Sequence, residues 1–312
     1  MATNKYLNDK LIQYPILNDV STALSFKNLS DNTVINYMNG IARFLDFIEY
    51  DNSFDITEDH FRMYLAFLHT TPLTINTVNI NNSYIRFFFL AVLNKPINFY
   101  RVPRAKTSPK DIDFLFDHHI SSLLNASYDN SRMDCIIKLG LCCGLRVHEI
   151  VSLKISDIST RDKQNMNVYV RKSKRNKSRY VPIDKTMYRA LQRYAKEYHI
   201  SPGSDKNLFV FSTRGETNNE TIRRNFNIYK KLANIPDSFT FHCLRHTYAV
   251  NFLRAGGDLL DLKYRLGHGT LSSTSRYLHF ARNMMNTHIS YMDNLMKEGV
   301  RHADYYSDNY AK

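Results

Sequence analysis

The sequence predicts a mostly α-helical protein with a small antiparallel β-sheet, in which a helical N-terminal domain precedes an α+β domain. The chain has 312 residues, enough for two hydrophobic cores. Apolar residues of the first hundred recur at three- and four-residue steps, as in amphipathic helices. Two short stretches in the second half alternate apolar and polar residues, which indicates a hairpin.

The helices of the N-terminal region are predicted from the capping residues at their starts and from this periodicity. Ser30 is a favourable N-cap for a helix with an apolar stripe. Thr57, followed by two acidic residues, starts a second helix, and a third runs from about Thr74 to Leu93. Residues 1–100 are therefore predicted to form an all-helical domain.

A basic segment with two prolines and no apolar period, residues 101–111, is predicted to be an extended linker. The second domain then covers residues 112–312. Four cationic side chains of the linker are candidates for binding a polyanion: Arg101, Arg104, Lys106 and Lys110.

The second domain is predicted to contain a helix near 131–142, a break at Gly144 and a short helix near 147–153. Strands at 166–170 and from Tyr180 to Ile183 form the hairpin. Helices resume near 219 and continue to about 299. The tip and flanks of the hairpin are basic: Arg171, Lys172, Lys174, Arg175, Lys177 and Arg179.

Charge is distributed unevenly along the chain. The net charge is +13, yet residues 1–100 hold 7 Lys and Arg against 9 Asp and Glu, while the remaining residues hold 35 against 20. Such a balance indicates a polyanionic partner, either nucleic acid or an anionic membrane surface, for the C-terminal two thirds.

Cysteine usage and hydropathy indicate a soluble cytoplasmic protein. Four cysteines show no metal-ligand or secreted-framework spacing, so buried thiols in a reducing compartment are expected. The N-terminus has no signal-peptide pattern, and no stretch approaches the roughly 20 apolar residues of a membrane span.

Four separated segments resemble the tyrosine recombinase, or phage integrase, family. They are Gly144-Leu-Arg146-Val-His-Glu149, Ser173-Lys174-Arg175-Asn-Lys-Ser-Arg179, His242-Cys-Leu-Arg245-His246, and Leu266-Gly-His268 with Tyr277 nine residues later. The resemblance covers residues 112–285 in the family's order and, more loosely, the helical region before the linker, which would be a core-binding domain.

The resemblance implies an enzyme that cleaves and rejoins DNA through a 3′-phosphotyrosine, and it implies a role for six residues. Tyr277 would be the nucleophile, Lys174 the general acid, His242 the group that takes and returns the tyrosine proton, and His268 a hydrogen-bond donor to the phosphate. Arg146 and Arg245 would stabilise the transition state.

The chemistry explains these residue types. In-line attack on a phosphodiester builds negative charge on the non-bridging oxygens, which guanidinium groups bind through forked donors. On a helix, His242 and Arg245 lie on one face because they are three residues apart. The family's Gly-Lys-Gly is replaced by Ser173-Lys174-Arg175 here, and neighbouring Lys172, Arg175 and Lys177 are expected to contact phosphates.

No cofactor and no metal are expected. The tyrosine ester conserves the energy of the cleaved bond, so religation needs no nucleotide. His246, four residues after His242, could mimic a metal pair, but neither an HExxH glutamate nor a third ligand accompanies it. Glu149 and Asp157 are expected to be buried partners that orient Arg146 or cap local backbone.

The family's enzymes work as tetramers on paired DNA sites through a Holliday junction, so a homo-tetramer on DNA is expected, without a membrane partner. An apolar stripe from Ala281 to Met296 could dock on another protomer or on its own domain, and periodicity alone leaves both open. The N-terminal domain has a net charge of −2. Its positive side chains are expected to line one face, while its acidic side chains face solvent.

The sequence leaves three functions open. The preferred one is a recombinase for integration, excision or transposition of a mobile element, although inversion and dimer resolution are not distinguished. A catalytically idle DNA-binding regulator and a monomeric type IB topoisomerase are the alternatives.

Overall fold

A computed structural model of the chain describes residues 5–107, 111–159, 166–171, 178–201, 204–205, 210–211 and 218–284. The chain divides into two compact units, Met1–Lys110 and Asp111–Lys312. In the described part, helices dominate and one small antiparallel sheet is present, which confirms the predicted fold class. No helix in these ranges is long and apolar enough to cross a membrane.

The first unit is helical throughout its regular structure. Its helices are α1 (Lys5–Gln13), α2 (Leu17–Ser25), α3 (Asp31–Phe47), α4 (Glu58–Thr70) and α5 (Ile75–Ala91). Ser30 caps α3 by accepting a hydrogen bond from the backbone amide of Thr33 at 3.3 Å, and Thr74 caps α5 in the same way through Thr77 at 3.2 Å. The three predicted helix starts at Ser30, Thr57 and Thr74 are confirmed.

Aromatic residues fill the core of the first unit. Phe44, Phe61, Phe88 and Phe89 are almost entirely buried. The rings of Phe61 and Phe89 stack at 5.6 Å, and Phe44 meets Phe88 edge-on at 6.4 Å. Each buried phenylalanine contributes about 1.5–3 kcal/mol through removal of apolar surface from water.

Side chains of α5 form hydrogen bonds with the basic segment that follows this helix, as far as residue 105. The side chain of Asn79 bonds both backbone groups of Ala105, at 2.9 and 3.0 Å, and the Asn82 amide donates to the carbonyl of Pro103 at 3.1 Å. Arg86 donates to the carbonyl of Val102. The beginning of the predicted linker therefore packs as part of the helical unit.

The second unit combines helices with the sheet. Its elements are α6 (Asp117–Ser127), α7 (Ser131–Cys143), α8 (Val147–Val151), a 3₁₀ turn (Ile155–Asp157), β1 (Ile158–Ser159), β2 (Asn167–Val170), β3 (Arg179–Pro182), α9 (Lys185–Glu197), α10 (Asn219–Leu232), α11 (Phe241–Arg254), α12 (Leu259–Leu266) and α13 (Ser272–Met284). The predicted helices beyond Met284, including the rest of the apolar stripe, lie outside the described residues.

The three strands lie in the order β1-β2-β3, and both pairs are antiparallel. In the predicted hairpin, Val168 pairs with Val181 and Tyr169 with Tyr180. The two valines are buried, whereas the tyrosine rings meet at 4.9 Å on the other face. This alternation fixes the register, because a one-residue slip would expose both valines.

Helix α11 lies at the centre of the unit. On one side it packs against α7 so closely that a Cβ at Gly140 would lie 2.9 Å from Leu244. On the other side, Tyr248 and Leu253 join α12 and α13 in a hydrophobic cluster that also contains Tyr277 and Ala281. This arrangement brings residues from α11 and α13 into one site.

The four cysteines are free thiols, as predicted. Cys135, Cys143 and Cys243 are buried and Cys142 is partly buried.

Candidate active site

Four elements of the second unit supply the candidate catalytic residues. Arg146 is the N-cap of α8, and the His242 and Arg245 pair lies on the first turn of α11. His268 follows the end of α12, and Tyr277 lies on α13. Lys174 lies outside the described residues.

The two arginines converge on one backbone carbonyl. Arg245, only 1% exposed, donates from Nη1 to the carbonyl of Gly144 at 2.7 Å and from Nη2 to that of Leu266. Arg146 donates from Nη1 to the same Leu266 carbonyl at 3.4 Å. The carbonyls become available because α7 and α12 end there, at Gly144 and Gly267, whose φ angles of 63° and 64° stop each helix. Helix ends thus position both guanidinium groups.

Glu149 provides the negative charge of this group. Its Oε2 accepts the backbone amide of Arg146 at 2.9 Å, its Oε1 lies 3.3 Å from Arg146 Nη1, and its Oε2 lies 3.9 Å from Arg245 Nη1. Arg179 contributes two further bonds, at 2.9 and 3.0 Å. Burial would raise the pKa of Glu149, but the bonds and charge of Arg179 and the Arg146 amide hold it at about 2.

The group carries excess positive charge. Arg146, Arg179 and Arg245 supply three positive charges against the single negative charge of Glu149. Burial and the charge of Arg146 lower the pKa of Arg245 to about 9, which leaves it protonated at neutral pH. A buried excess of positive charge is costly unless an anion joins it, so the group is suited to bind an anion such as phosphate.

A cavity of ≈ 500 Å³ opens beside Arg146 and is lined by Arg146, His148, Arg223, Asn227 and His242, among others. Desolvation and the charges of Arg245 and Arg146 lower the pKa of His242 to about 4. His242 is therefore neutral at pH 7 and presents an uncharged imidazole to the cavity.

Tyr277 is buried, and its hydroxyl group has a specific partner. His246 Nδ1 lies 2.8 Å from Tyr277 Oη. Burial raises the pKa of Tyr277, while the charges of Arg245, Arg276 and Arg146 act in the opposite direction. The hydroxyl group is thus protonated at rest and lies in the field of three arginines.

His268 lies against the same tyrosine. The two rings are nearly parallel, with centroids 6.4 Å apart, and His268 Nδ1 lies 2.9 Å from the hydroxyl oxygen of the buried Thr274. Burial and the charges of Arg245 and Arg146 lower the pKa of His268 to about 3. Because Thr274 occupies Nδ1, the ring orientation is fixed and Nε2 is the nitrogen left for another partner.

The structure unites five of the six predicted catalytic residues in one region. Together they supply guanidinium groups for an anion, a buried hydroxyl nucleophile and neutral imidazoles, which are the groups needed to transfer a phosphoryl group to tyrosine. In the described ranges, no three His, Cys, Asp or Glu side chains are placed to hold a metal ion.

The predicted DNA-binding residues have different surroundings. Arg101 is paired with Glu58 at 3.2 Å and Asp59 at 2.8 Å. Arg104 donates to the hydroxyl group of Ser83 at 3.0 Å, and Lys106 is exposed. The other four lie outside the described residues: Lys110, Lys172, Arg175 and Lys177.

The expected carboxylate partners are present. Glu149 orients Arg146 and caps its amide, as predicted. Asp157 caps the amide of Lys154 at 2.9 Å but pairs with Arg171, at 2.7 Å, rather than with Arg146.

Sequence reasoning misses three residues of the site. Arg179 groups by charge with the basic residues predicted at the tip and flanks of the hairpin but is 2% exposed, and its place in strand β3 rather than at the turn is the available signal. His246 stands out in the sequence only as a mimic of a metal ligand. Its position one turn after His242 on the same helix face is the signal for another role. Thr274 lies three residues before Tyr277, one turn away on α13.

Comparison with known proteins agrees with this site. The sequence model of the phage integrase family matches residues 113–284, and that of the phage integrase N-terminal SAM-like domain matches residues 16–98. The chain therefore belongs to the phage integrase family of tyrosine recombinases, which are DNA strand-exchange enzymes.

Individual relatives extend this comparison. The tyrosine recombinase XerC of Staphylococcus epidermidis is 26% identical over 276 residues, which cover 83% of this chain and 90% of the relative. A lambda integrase tetramer bound to a Holliday junction has a similar fold, with a TM-score of 0.69, 19% identity, and coverage of 85% of this chain and 76% of that chain. The Tn1549 transposon integrase in complex with transposon right end DNA has a TM-score of 0.64 and 20% identity, over 92% of this chain and 99% of that chain.

Proposed function

We propose that this enzyme is a site-specific recombinase that cleaves and rejoins DNA through a 3′-phosphotyrosine at Tyr277. The observation that carries the proposal is the position of that hydroxyl group, which is held by a histidine in the field of Arg146 and Arg245. A tyrosine that served only as a core residue would not need this combination of partners.

In this mechanism the scissile phosphate binds at the cavity beside His242. Arg146 and Arg245 bind its non-bridging oxygens and stabilise the charge that develops during in-line attack. His268 and His242, both neutral, donate hydrogen bonds to the same group, and Lys174 protonates the departing 5′ oxygen. Religation runs the same steps backwards and requires no cofactor, because the phosphotyrosine retains the energy of the bond.

The proposed substrate is double-stranded DNA with paired sites, exchanged by a homo-tetramer through a Holliday junction. The basic balance of residues 101–312 supports a DNA partner. The lambda integrase neighbour was captured as a tetramer bound to a Holliday junction, which supports this assembly. Arg104, Lys106, Lys110 and the hairpin cations Lys172, Arg175 and Lys177 are proposed to contact the DNA backbone.

Integration, excision or transposition of a mobile element is the proposed setting. The similarity of fold to a transposon integrase bound to its transposon end supports this setting. The similarity to the tyrosine recombinase XerC over most of both chains supports recombination as the activity.

Capture of the covalent intermediate tests the proposal even though the target sequence is unidentified. Genomic DNA from the source organism is nicked lightly. When the enzyme cuts near a nick, the short fragment that carries the 5′ hydroxyl group dissociates, so the strand cannot be religated. We expect wild-type protein to form denaturant-resistant adducts at a few sequenced positions, and Tyr277→Phe to form none. Absence of adducts with wild type would overturn the proposal in favour of a DNA-binding regulator, and equal recovery with both proteins would show that Tyr277 is not the nucleophile.

The recovered sites then separate recombination from topoisomerase activity. A plasmid with two sites should yield recombined products, whereas supercoiled plasmid without a site should stay supercoiled. Relaxation of the site-free plasmid without recombination would identify a type IB topoisomerase instead.

Assembly is tested by truncation. Deletion of residues 285–312, which lie outside the described part, should weaken tetramer formation on DNA if the apolar stripe docks on a neighbouring protomer. Unchanged assembly would show that the stripe is not needed to dock on a neighbouring protomer.

A further inference from the structure

The two histidines on α11 have different contacts, which indicates that they have different roles. His242 lines the cavity together with Arg146, and His246 does not. His246 instead contacts the hydroxyl group of Tyr277 at 2.8 Å. The rings of the two histidines are nearly perpendicular, with centroids 4.5 Å apart, so each faces a different group.

We propose that His246 is the group that accepts the proton of Tyr277 during DNA cleavage and returns it during religation. This inference rests on the proposed function and assigns to His246 the role that the family resemblance gives to His242. His242 then acts on the phosphate alone, as a hydrogen-bond donor beside Arg146.

The proton-transfer step is balanced with groups on this chain. In cleavage, Tyr277 Oη forms a bond to phosphorus, its proton passes to the lone pair of His246 Nδ1, and the bond from phosphorus to the 5′ oxygen breaks. Lys174 supplies the proton to that oxygen. In religation, the 5′ hydroxyl group attacks the phosphotyrosine, and His246 returns its proton to Tyr277.

The geometry suits this role. A general base must lie about 2.6–3.2 Å from the atom whose proton it takes, and His246 meets this requirement. Burial and neighbouring charges lower its pKa to about 3, so the imidazole is neutral at pH 7, and in the tautomer protonated on Nε2 the lone pair of Nδ1 faces the hydroxyl group.

The charged and titratable groups around His246 come from all the elements packed against it. His242 and Arg245 lie on α11, Arg276 on α13, and His268 in the turn between α12 and α13. Each opposes protonation of His246. A bound phosphodiester brings a negative charge to this cluster and raises the basicity of His246, so deprotonation of Tyr277 is promoted by the substrate itself.

Two substitutions distinguish proton transfer from simple positioning. His246→Asn places an amide oxygen near the position of Nδ1, so it can hold the tyrosine hydroxyl group but cannot take its proton at ordinary pH. His246→Ala removes both functions. The exposed His199, which follows α9 with a φ of 52°, provides the control His199→Asn, since asparagine tolerates this conformation.

Cleavage of the recovered sites is measured as single-turnover adduct formation from pH 5.5 to 9.5. We expect both His246 variants to cleave about 10²- to 10⁴-fold more slowly at pH 7. The wild-type rate should change little across this range, because His246 is neutral throughout it, whereas the variant rates should rise about tenfold per pH unit, because hydroxide must then remove the proton. Wild-type rate and profile in His246→Asn would overturn the proposal.

A substrate with sulfur in place of the 5′ bridging oxygen shows whether a variant has lost the general acid or the general base. A thiolate leaves without protonation, so loss of an acid is rescued and loss of a base is not. We expect Lys174→Ala, but neither His246 variant, to recover on this substrate. Recovery of His246→Asn would overturn the assignment.

The controls separate this inference from the proposed function. If wild type forms no adduct on any DNA, the function itself is wrong. If wild type and His199→Asn form adducts, Tyr277→Phe does not, and His246→Asn matches wild type, only the role of His246 is wrong. Circular dichroism and DNA binding of each variant, measured at one pH, exclude loss through misfolding, and imidazole added to His246→Ala should restore part of the rate.

Discussion

Arg179 and Glu149 form a buried ion pair with two parallel hydrogen bonds, Nη1 to Oε1 at 2.9 Å and Nη2 to Oε2 at 3.0 Å. The pair joins strand β3 to helix α8. Because Glu149 also binds the amide of Arg146, this pair connects the sheet to the anion-binding group.

Glu149→Gln is expected to lower the free energy of unfolding by about 3–5 kcal/mol, because the buried Arg179 loses its compensating charge. Urea unfolding followed by circular dichroism measures the change. Asp59→Asn is the matched control. It breaks pairs with Arg62 and Arg101 at a position that is 65% exposed, and should cost less than about 1 kcal/mol. Equal losses in both variants would contradict the importance of the buried pair.

Gly267→Ala is expected to destabilise the protein by roughly 1–2 kcal/mol and to slow cleavage. The residue has a φ of 64°, and an added Cβ would lie 2.9 Å from Arg179 Nη1. The resulting shift would displace the neighbouring His268. Gly269→Ala is the control, since a Cβ there meets nothing within 4 Å. Adduct formation should therefore fall in the first variant only, and a normal rate in Gly267→Ala would show that the turn is not needed for the site.

Stability is expected to fall as the pH drops from about 6.5 to about 4. The pKa values of His242, His246 and His268 are about 4, 3 and 3 in the folded protein, below the value of about 6.5 for an unfolded chain. The unfolded chain therefore takes up protons that the folded protein does not, and stability present above pH 6.5 is lost on acidification. Glu149, with a pKa of about 2, adds a further loss below about pH 4.

Urea titrations at pH 7, 6, 5 and 4.5 measure this dependence. His246→Asn should show a shallower pH dependence, whereas His199→Asn should follow wild type. A stability that does not change between pH 7 and 4.5 would contradict the neutral state of the three histidines.

The thiols of Cys135 and Cys143 are expected to resist alkylation in the native protein. Both are fully buried, and burial raises the pKa of each thiol well above its usual range. Mass spectrometry after brief maleimide treatment at pH 8 should detect neither modification without urea and both with it. Rapid native labelling of Cys135 would contradict the packing of α7.

The local features of the fold could be predicted from the sequence, because they depend on neighbouring residues. Ser30 and Thr74 cap their helices through residues three positions later, and the hairpin follows from simple alternation. Helix α9, which was not among the predicted helices, also has such a signal, the N-cap Asp184. By contrast, the two-residue strand β1 is too short to show alternation, and α2 begins after Ile16, which provides no side-chain cap.

Several residues of the candidate site could be predicted from the sequence, but the contacts between them could not. The resemblance of four sequence segments to the tyrosine recombinase family indicated Tyr277 and the two arginines. The partner of Tyr277 could not be found in this way, because His246 lies 31 positions away and only the packing of α11 against α13 brings it close. For Arg179, charge alone suggested an exposed side chain, whereas the fold supplies a buried carboxylate.

Tyr277 and Ala281, one turn apart on α13, are both embedded in the hydrophobic cluster formed with α11 and α12. In the proposed intermediate, a broken DNA strand would thus be bonded to a side chain that is buried in the hydrophobic cluster rather than to one on a surface loop. Mechanical tension along that strand would be carried by close-packed apolar residues. The attachment would therefore hold the free end as firmly as the domain itself is folded.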